Sequence, residues 1–136
     1  MLRNKKQIQK TVWAEFKDGF EVELRYAPRA LWVDIAQRST TRAWDAKAMT
    51  ETESRDNAKW RANTVEAVVV GWRGLSAAVV KSLVVVDDYD VEYPYAPEEC
   101  VWLMEQSMEF ENWLVTVASQ AALYQEQKRA EEIKNS

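Results

Sequence analysis

Histidine is absent from this sequence, and cysteine, glycine and proline are scarce: one Cys, three Gly and three Pro. Each gap removes a class of chemistry. Without His there is no Ser-His-Asp triad, no Cys-His pair and no imidazole metal ligand. A single Cys makes neither an intramolecular disulfide nor a thiolate zinc site, and it suits a reducing compartment. So few glycines cannot build a P-loop or a dinucleotide-binding fingerprint, and neither spacing occurs. Long apolar runs are missing as well. The longest, around Val65–Trp72 and Ala77–Val86, are interrupted by Glu66 and Lys81. No segment reaches the roughly 18 residues of a membrane span. The basic start Met1-Leu2-Arg3-Asn4-Lys5-Lys6 is not followed by an apolar core, so no signal peptide is expected.

What is present fits one domain. The chain has 136 residues, 47% of them hydrophobic and 29% charged, a globular balance. A chain of this length buries roughly 70% of its unfolded surface, enough for its own core. The net charge of −4 hides an uneven layout. Residues 1–81 hold 15 basic and 10 acidic side chains, whereas 82–127 hold 10 acidic and no Lys or Arg. Either the acidic part pairs with the basic part inside one fold, or it offers an acidic surface to a basic partner. It repels phosphates, so no nucleic acid partner is expected there.

The pattern of residues gives an order of elements. Residues 1–10 are polar and basic and read as a flexible arm. Thr11–Phe16 and Phe20–Tyr26 read as two strands. In the second, Phe20, Val22, Leu24 and Tyr26 alternate with Glu21, Glu23 and Arg25, the period of a strand with one buried face. Asp18-Gly19 between them is a strong hairpin signal, because a type I′ turn needs positive φ. Pro28 suits the first turn of a helix reaching Ser39. Trp44, Ala48 and Met49 continue a weak helical spacing beyond it. Thr50-Glu51-Thr52-Glu53 matches a capping box and predicts a helix from about Glu51 to Val70, ended near Gly71 or Gly74. Residues 75–95 leave strand, helix and loop open, with Asp87-Asp88-Tyr89-Asp90 as a turn. Pro97-Glu98-Glu99 starts a further helix, its carboxylates facing the positive end of the dipole. Apolar spacing continues to about 130, with a break expected near Ser107–Asn112. The expected architecture is mainly α with a small N-terminal β-hairpin. It comprises a flexible arm at 1–10, a single compact helical domain at 11–127 and a charged, frayed tail at 128–136, the last helices carrying the acidic and aromatic stretch.

Catalytic constellations are weak. Asp87, Asp88 and Asp90 carry carboxylates suited to a hard cation, but they lack the glycine and the Glu of an EF-hand loop and read as a solvated turn. Cys100 has no evident activating neighbour, and flanking Val101 and Leu103 favour a buried structural role. No catalytic residue, cofactor or metal is expected. The aromatic set is richer, with seven Trp and five Tyr. Each Trp lies in or beside an amphipathic element, where core packing is the default. Seven indoles are nevertheless hard to bury in so small a domain, and Trp and Tyr are enriched at binding hot spots. Trp13 faces away from Val12, Ala14 and Phe16, which leaves apolar surface for a partner or for self-association.

Several phrases carry a resemblance. Val70-Gly71-Trp72-Arg73-Gly74-Leu75 is followed by Val91-Glu92-Tyr93-Pro94-Tyr95-Ala96-Pro97-Glu98-Glu99, then by Leu103-Met104 and Trp113-Leu114. Together these resemble the tail assembly chaperones of tailed bacteriophages. The phrase Asp18-Gly19-Phe20-Glu21-Val22-Glu23-Leu24-Arg25, leading to Leu31 and Trp32, is similar to the same group, so the resemblance spans most of 11–124. The family commonly has a glycine between the Trp phrase and the extended piece, and Asp87-Asp88-Tyr89-Asp90 lacks it.

The resemblance implies a protein without catalysis that binds the tape measure protein in the host cytoplasm and keeps it soluble. It implies that the protein helps recruit the tail tube protein and is not in the mature virion. Homo-oligomers are allowed, and no membrane partner is expected. Partner-binding candidates are Trp72, Tyr93, Tyr95, Trp102, Met104, Met108, Phe110 and Trp113, since aromatic and Met side chains give an adaptable grip on an amphipathic segment. Two other classes fit the same composition: a structural virion, tail-completion or head–tail connector subunit, and an acidic regulatory module or inhibitor.

Overall fold

The computed structural model describes residues 1–6 and 10–125. Residues 7–9 of the expected arm and the expected tail at 128–136 lie outside the described residues. A short 3-10 turn at Leu2–Asn4 precedes the first strand.

The Asp18-Gly19 signal folds as read. Strand β1 (Thr11–Lys17) pairs antiparallel with β2 (Phe20–Arg25), and both turn residues have positive φ, 50° at Asp18 and 85° at Gly19. The alternation in β2 sends Phe20, Val22 and Leu24 into the core, all fully buried. A third strand, β5 (Val69–Arg73), pairs with the other edge of β2 and makes the sheet order β1-β2-β5. The inner face of this sheet is covered by α2 (Asn57–Val68), α4 (Pro97–Gln106) and α5 (Met108–Ala118). Helix α1 (Arg29–Arg38) packs on α2, and α3 (Ala77–Leu83) adds Val79 and Val80 to the core. Residues 121–125 are helical and bury Tyr124 against Tyr26. Among the described residues, no helix is long and apolar enough to cross a membrane.

The expectation of a mainly α chain with one small hairpin is corrected: among the described residues five strands form two antiparallel sheets, and the fold is α+β. Two segments account for the difference. Residues 40–55, read as weak helix and capping box, form a second hairpin of β3 (Thr40–Asp45) and β4 (Thr50–Arg55). Thr50 and Thr52, β-branched residues on one face of β4, favour extended backbone. Arg42 and Glu53 pair across the strands at 3.0 Å, the cross-strand unit that stabilises a sheet. The true helix start is six residues later, where the Asp56 carboxylate accepts a hydrogen bond from the Lys59 N–H at 3.1 Å. At the other end, α2 stops at Val68 instead of reaching Gly71 or Gly74, because the Val68-Val69-Val70 run turns extended and docks on β2. The helix break, by contrast, falls at Ser107, the first residue of the expected window, whose hydroxyl caps α5 through the Phe110 N–H at 3.2 Å.

The second hairpin projects from the domain. Every residue from Arg42 to Arg55 is exposed, and Trp44 and Met49 are among the most exposed apolar side chains. Trp44→Ala therefore changes stability by less than about 0.5 kcal/mol, as surface substitutions do, measured as an unmoved urea midpoint. The hairpin base is tied at Ser39, whose carbonyl accepts from the Asp56 N–H at 2.7 Å and whose hydroxyl accepts from the Asn63 amide at 3.1 Å.

Candidate functional site

The Trp72 phrase, the extended 91–95 piece and the start of α4 converge on one recess. Trp72 projects from β5 onto the core side and is nearly buried. Its indole N–H donates to the Tyr93 carbonyl at 2.9 Å, and the Tyr95 ring meets the indole edge-on with centroids 5.0 Å apart. The backbone adds two ties: the Tyr93 N–H donates to the Leu75 carbonyl at 3.0 Å, and Glu92 forms a bridge with Ser76. Together they hold the Val84–Ala96 connection against the sheet. Tyrosine hydroxyls brace it further. Tyr89 donates to the Val84 carbonyl at 3.0 Å, and the Tyr93 hydroxyl accepts from the Asp90 N–H at 2.7 Å.

The result is an open recess of about 760 Å³, within the range of ligand-sized clefts. Its floor is Trp72, Leu75, Val80 and Leu103, all buried. Tyr93, Tyr95 and Trp102 form its aromatic sides, and Trp102 is exposed. Asp88, Asp90, Glu92, Glu98 and Glu99 also line it, and all five are exposed. No basic residue lines it, and among the described residues none of these five carboxylates is in an ion pair. A smaller recess of about 480 Å³ lies beyond Tyr95, bordered by Arg25, Glu66, Glu98 and Val101.

The eight residues singled out from the sequence separate cleanly. Trp72, Tyr93, Tyr95 and Trp102 are brought together in the recess. Met104 and Phe110 are core side chains with no exposed surface to offer. Trp113 is half-buried and packs on Phe16 and Phe110, at centroid distances of 5.0 and 6.0 Å. Met108 is exposed at the start of α5 and does not line the recess. Sequence reasoning missed the floor residues Leu75 and Val80, and its acidic surface for a basic partner did not single out the rim residues of this recess. The rim's signal is the stretch 82–127 without Lys or Arg, whereas the local pattern at Asp87–Asp90 shows only a solvated turn. Trp13, whose outward face the sequence offers to a partner, is exposed and carries the Arg73 guanidinium over its ring at 4.0 Å, and Arg73 also pairs with Glu21.

No group of three potential metal ligands occurs among the described residues. Cys100 is fully buried in α4, and burial pushes its thiol up to about 12. Tyr95 is also raised to about 12, mainly by burial and then by neighbouring Cys100 and Glu98, with Arg25 opposing. Both groups favour their neutral forms in the fold, and their ordinary values are 9.0 and 10.0. A folded pKa above the unfolded one stabilises fully below the unfolded value and loses that contribution as pH rises towards the folded one. The thermal midpoint therefore falls between about pH 9 and about pH 12, and Cys100→Ala flattens that fall, as circular-dichroism melts will show.

The fold and the recess define a class: a small α+β domain with an acid-rimmed aromatic cleft. A family model described as YdaY prophage protein matches residues 32–135. The chain belongs to that family and is of phage origin. No curated protein and no solved structure matches it.

Proposed function

We propose that this chain is a phage tail assembly chaperone, a non-catalytic binding protein that holds the tape measure protein in the host cytoplasm. In this role it keeps that long client soluble, promotes assembly of the tail tube protein around it and leaves before the virion is complete. One observation carries the reading. The phrases that resemble the chaperone family, around Trp72, Tyr93-Pro94-Tyr95 and the α4 start, are distant in sequence yet line one open apolar recess. Concave aromatic surface of this kind suits an apolar client segment. Co-expression tests it. The tape measure protein from the same phage is expected to become soluble and to co-purify with this chain. If the chain neither binds that protein nor raises its soluble fraction, the reading is wrong.

The projecting hairpin supports a second reading, a structural subunit of the tail or of the head–tail connector. Open strand edges are ready pairing sites for a neighbouring chain. Protein analysis of purified virions separates the two, since only a structural subunit is retained there.

A further inference from the structure

We propose that the recess is a docking site for a cationic peptide segment, one carrying a branched or aromatic anchor flanked by Lys or Arg. The inference deepens the function proposed above by giving the chemistry of the client segment. Charge complementarity is its basis. Asp88, Asp90 and Glu92 line the recess from the connection, and Glu98 and Glu99 from the first turn of α4. Like charges around a low-dielectric wall focus a negative field into the cleft. Two cations stand near it without lining it: Lys81 sits over the Tyr89 ring at 5.3 Å, and Arg25 borders the smaller recess beyond Tyr95.

The walls match the same occupant. Trp102 is 39% exposed, and the Tyr93 and Tyr95 rings stand half-exposed beside it. Aromatic faces of this kind hold Lys or Arg by cation–π attraction while their edges contact an apolar side chain. Trp72, Leu75 and Leu103 below give the anchor an apolar seat. An acidic segment would meet repulsion at the rim, and a purely polar one would leave the floor wet. The site thus selects on two properties at once.

The test uses the full chain and three fluorescein-labelled synthetic octapeptides: Lys-Lys-Leu-Lys-Phe-Leu-Lys-Lys, the same peptide with Glu for Lys, and the same with Ser for Leu and Phe. The first peptide alone is expected to bind. Trp102→Ala is expected to weaken it about tenfold, the scale of losing one aromatic anchor. The double variant Asp90→Asn, Glu92→Gln is expected to weaken it several-fold and to flatten its salt dependence. Both changes lie on exposed side chains, and melting curves check that the fold is intact.

Equal binding of the Ser peptide means non-specific charge attraction and overturns the proposal. So does binding that neither variant alters, or sedimentation showing that a second copy of this chain already fills the recess. Peptide binding with no effect of the chain on tape measure solubility leaves this inference standing and removes the chaperone reading. Solubilisation that the Trp102 and rim variants leave untouched does the reverse.

Discussion

Replacing Phe110 with alanine will lower the unfolding free energy by about 3–5 kcal/mol, the range for deleting a large buried ring. Phe110 is fully buried at the first turn of α5. It stacks on Phe20 with centroids 5.8 Å apart and an interplanar angle of 20°, and it meets the Phe16 ring edge-on at 5.5 Å. Trp113 stacks on it at 6.0 Å. The ring therefore joins both strands of the first hairpin to α5, and its removal leaves a cavity that these three segments would have to close. Against a typical domain stability of about 5–15 kcal/mol this is a large share. The measurement is urea unfolding followed by tryptophan fluorescence. A midpoint shift at constant slope gives the loss. A loss below about 1 kcal/mol would mean that the site collapses around the gap and that the cluster does not hold the sheet to α5.

Gly74→Ala is expected to cost about 3 kcal/mol, combining left-handed strain with a backbone collision. Gly74 follows β5 with φ of 75°, and a Cβ there would press into the Gly19 carbonyl oxygen and sit 3.1 Å from the Gly19 carbonyl carbon. Neither partner is a side chain that can swing away. Relief requires moving the Asp18-Gly19 turn, and with it the Phe20 side chain that Phe110 stacks on. Two controls isolate the cause. Gly19→Ala has positive φ but nothing within 4 Å of the new carbon, so it carries only the strain of about 1–2 kcal/mol. Gly71→Ala has open space and no such φ, and it changes stability by less than about 1 kcal/mol. If all three alanines cost the same, the close approach of the two glycine segments is not what the sheet depends on.

The elements that were legible in the sequence are those with one dry face or a specific turn. Phe20, Val22 and Leu24 alternate because one side of β2 is core, and Asp18-Gly19 fixes the turn. Pro97-Glu98-Glu99 and the Ser107 cap mark helix starts through backbone chemistry alone. Strands β3 and β4 gave no such signal. Both of their faces meet solvent, so no apolar period exists to read, and the spacing of Trp44, Ala48 and Met49 imitates a helix by accident. Strand β5 failed for the opposite reason. Val68-Val69-Val70 is apolar without interruption, and where the helix hands over to a strand is decided by pairing with β2, whose partner residues lie 45 to 52 positions earlier in the chain (Leu24 with Val69, Glu21 with Arg73). At the site, aromatic identity found Trp72, Tyr93, Tyr95 and Trp102. It also chose Met104 and Phe110, because a helix face toward the core and one toward a partner have the same composition. The acidic rim is a product of how the Val84–Ala96 connection is folded back, and no local spacing encodes that.

The hydrogen bonds at Ser39 bear on how quickly such a sheet can assemble. Strand β5 pairs with β2 across the whole intervening chain, and closing a longer loop costs more entropy. The bond from Asp56 to the Ser39 carbonyl brings together the two ends of the projecting hairpin, whose own strands pair between neighbours in sequence. Once that local hairpin zips, the chain between α1 and α2 is closed at its base instead of forming a loose excursion. The search for β2 is then made by a shorter effective tether. The hairpin that contributes nothing to the core thus acts on the folding rate, by lowering the entropy of the chain that must be closed.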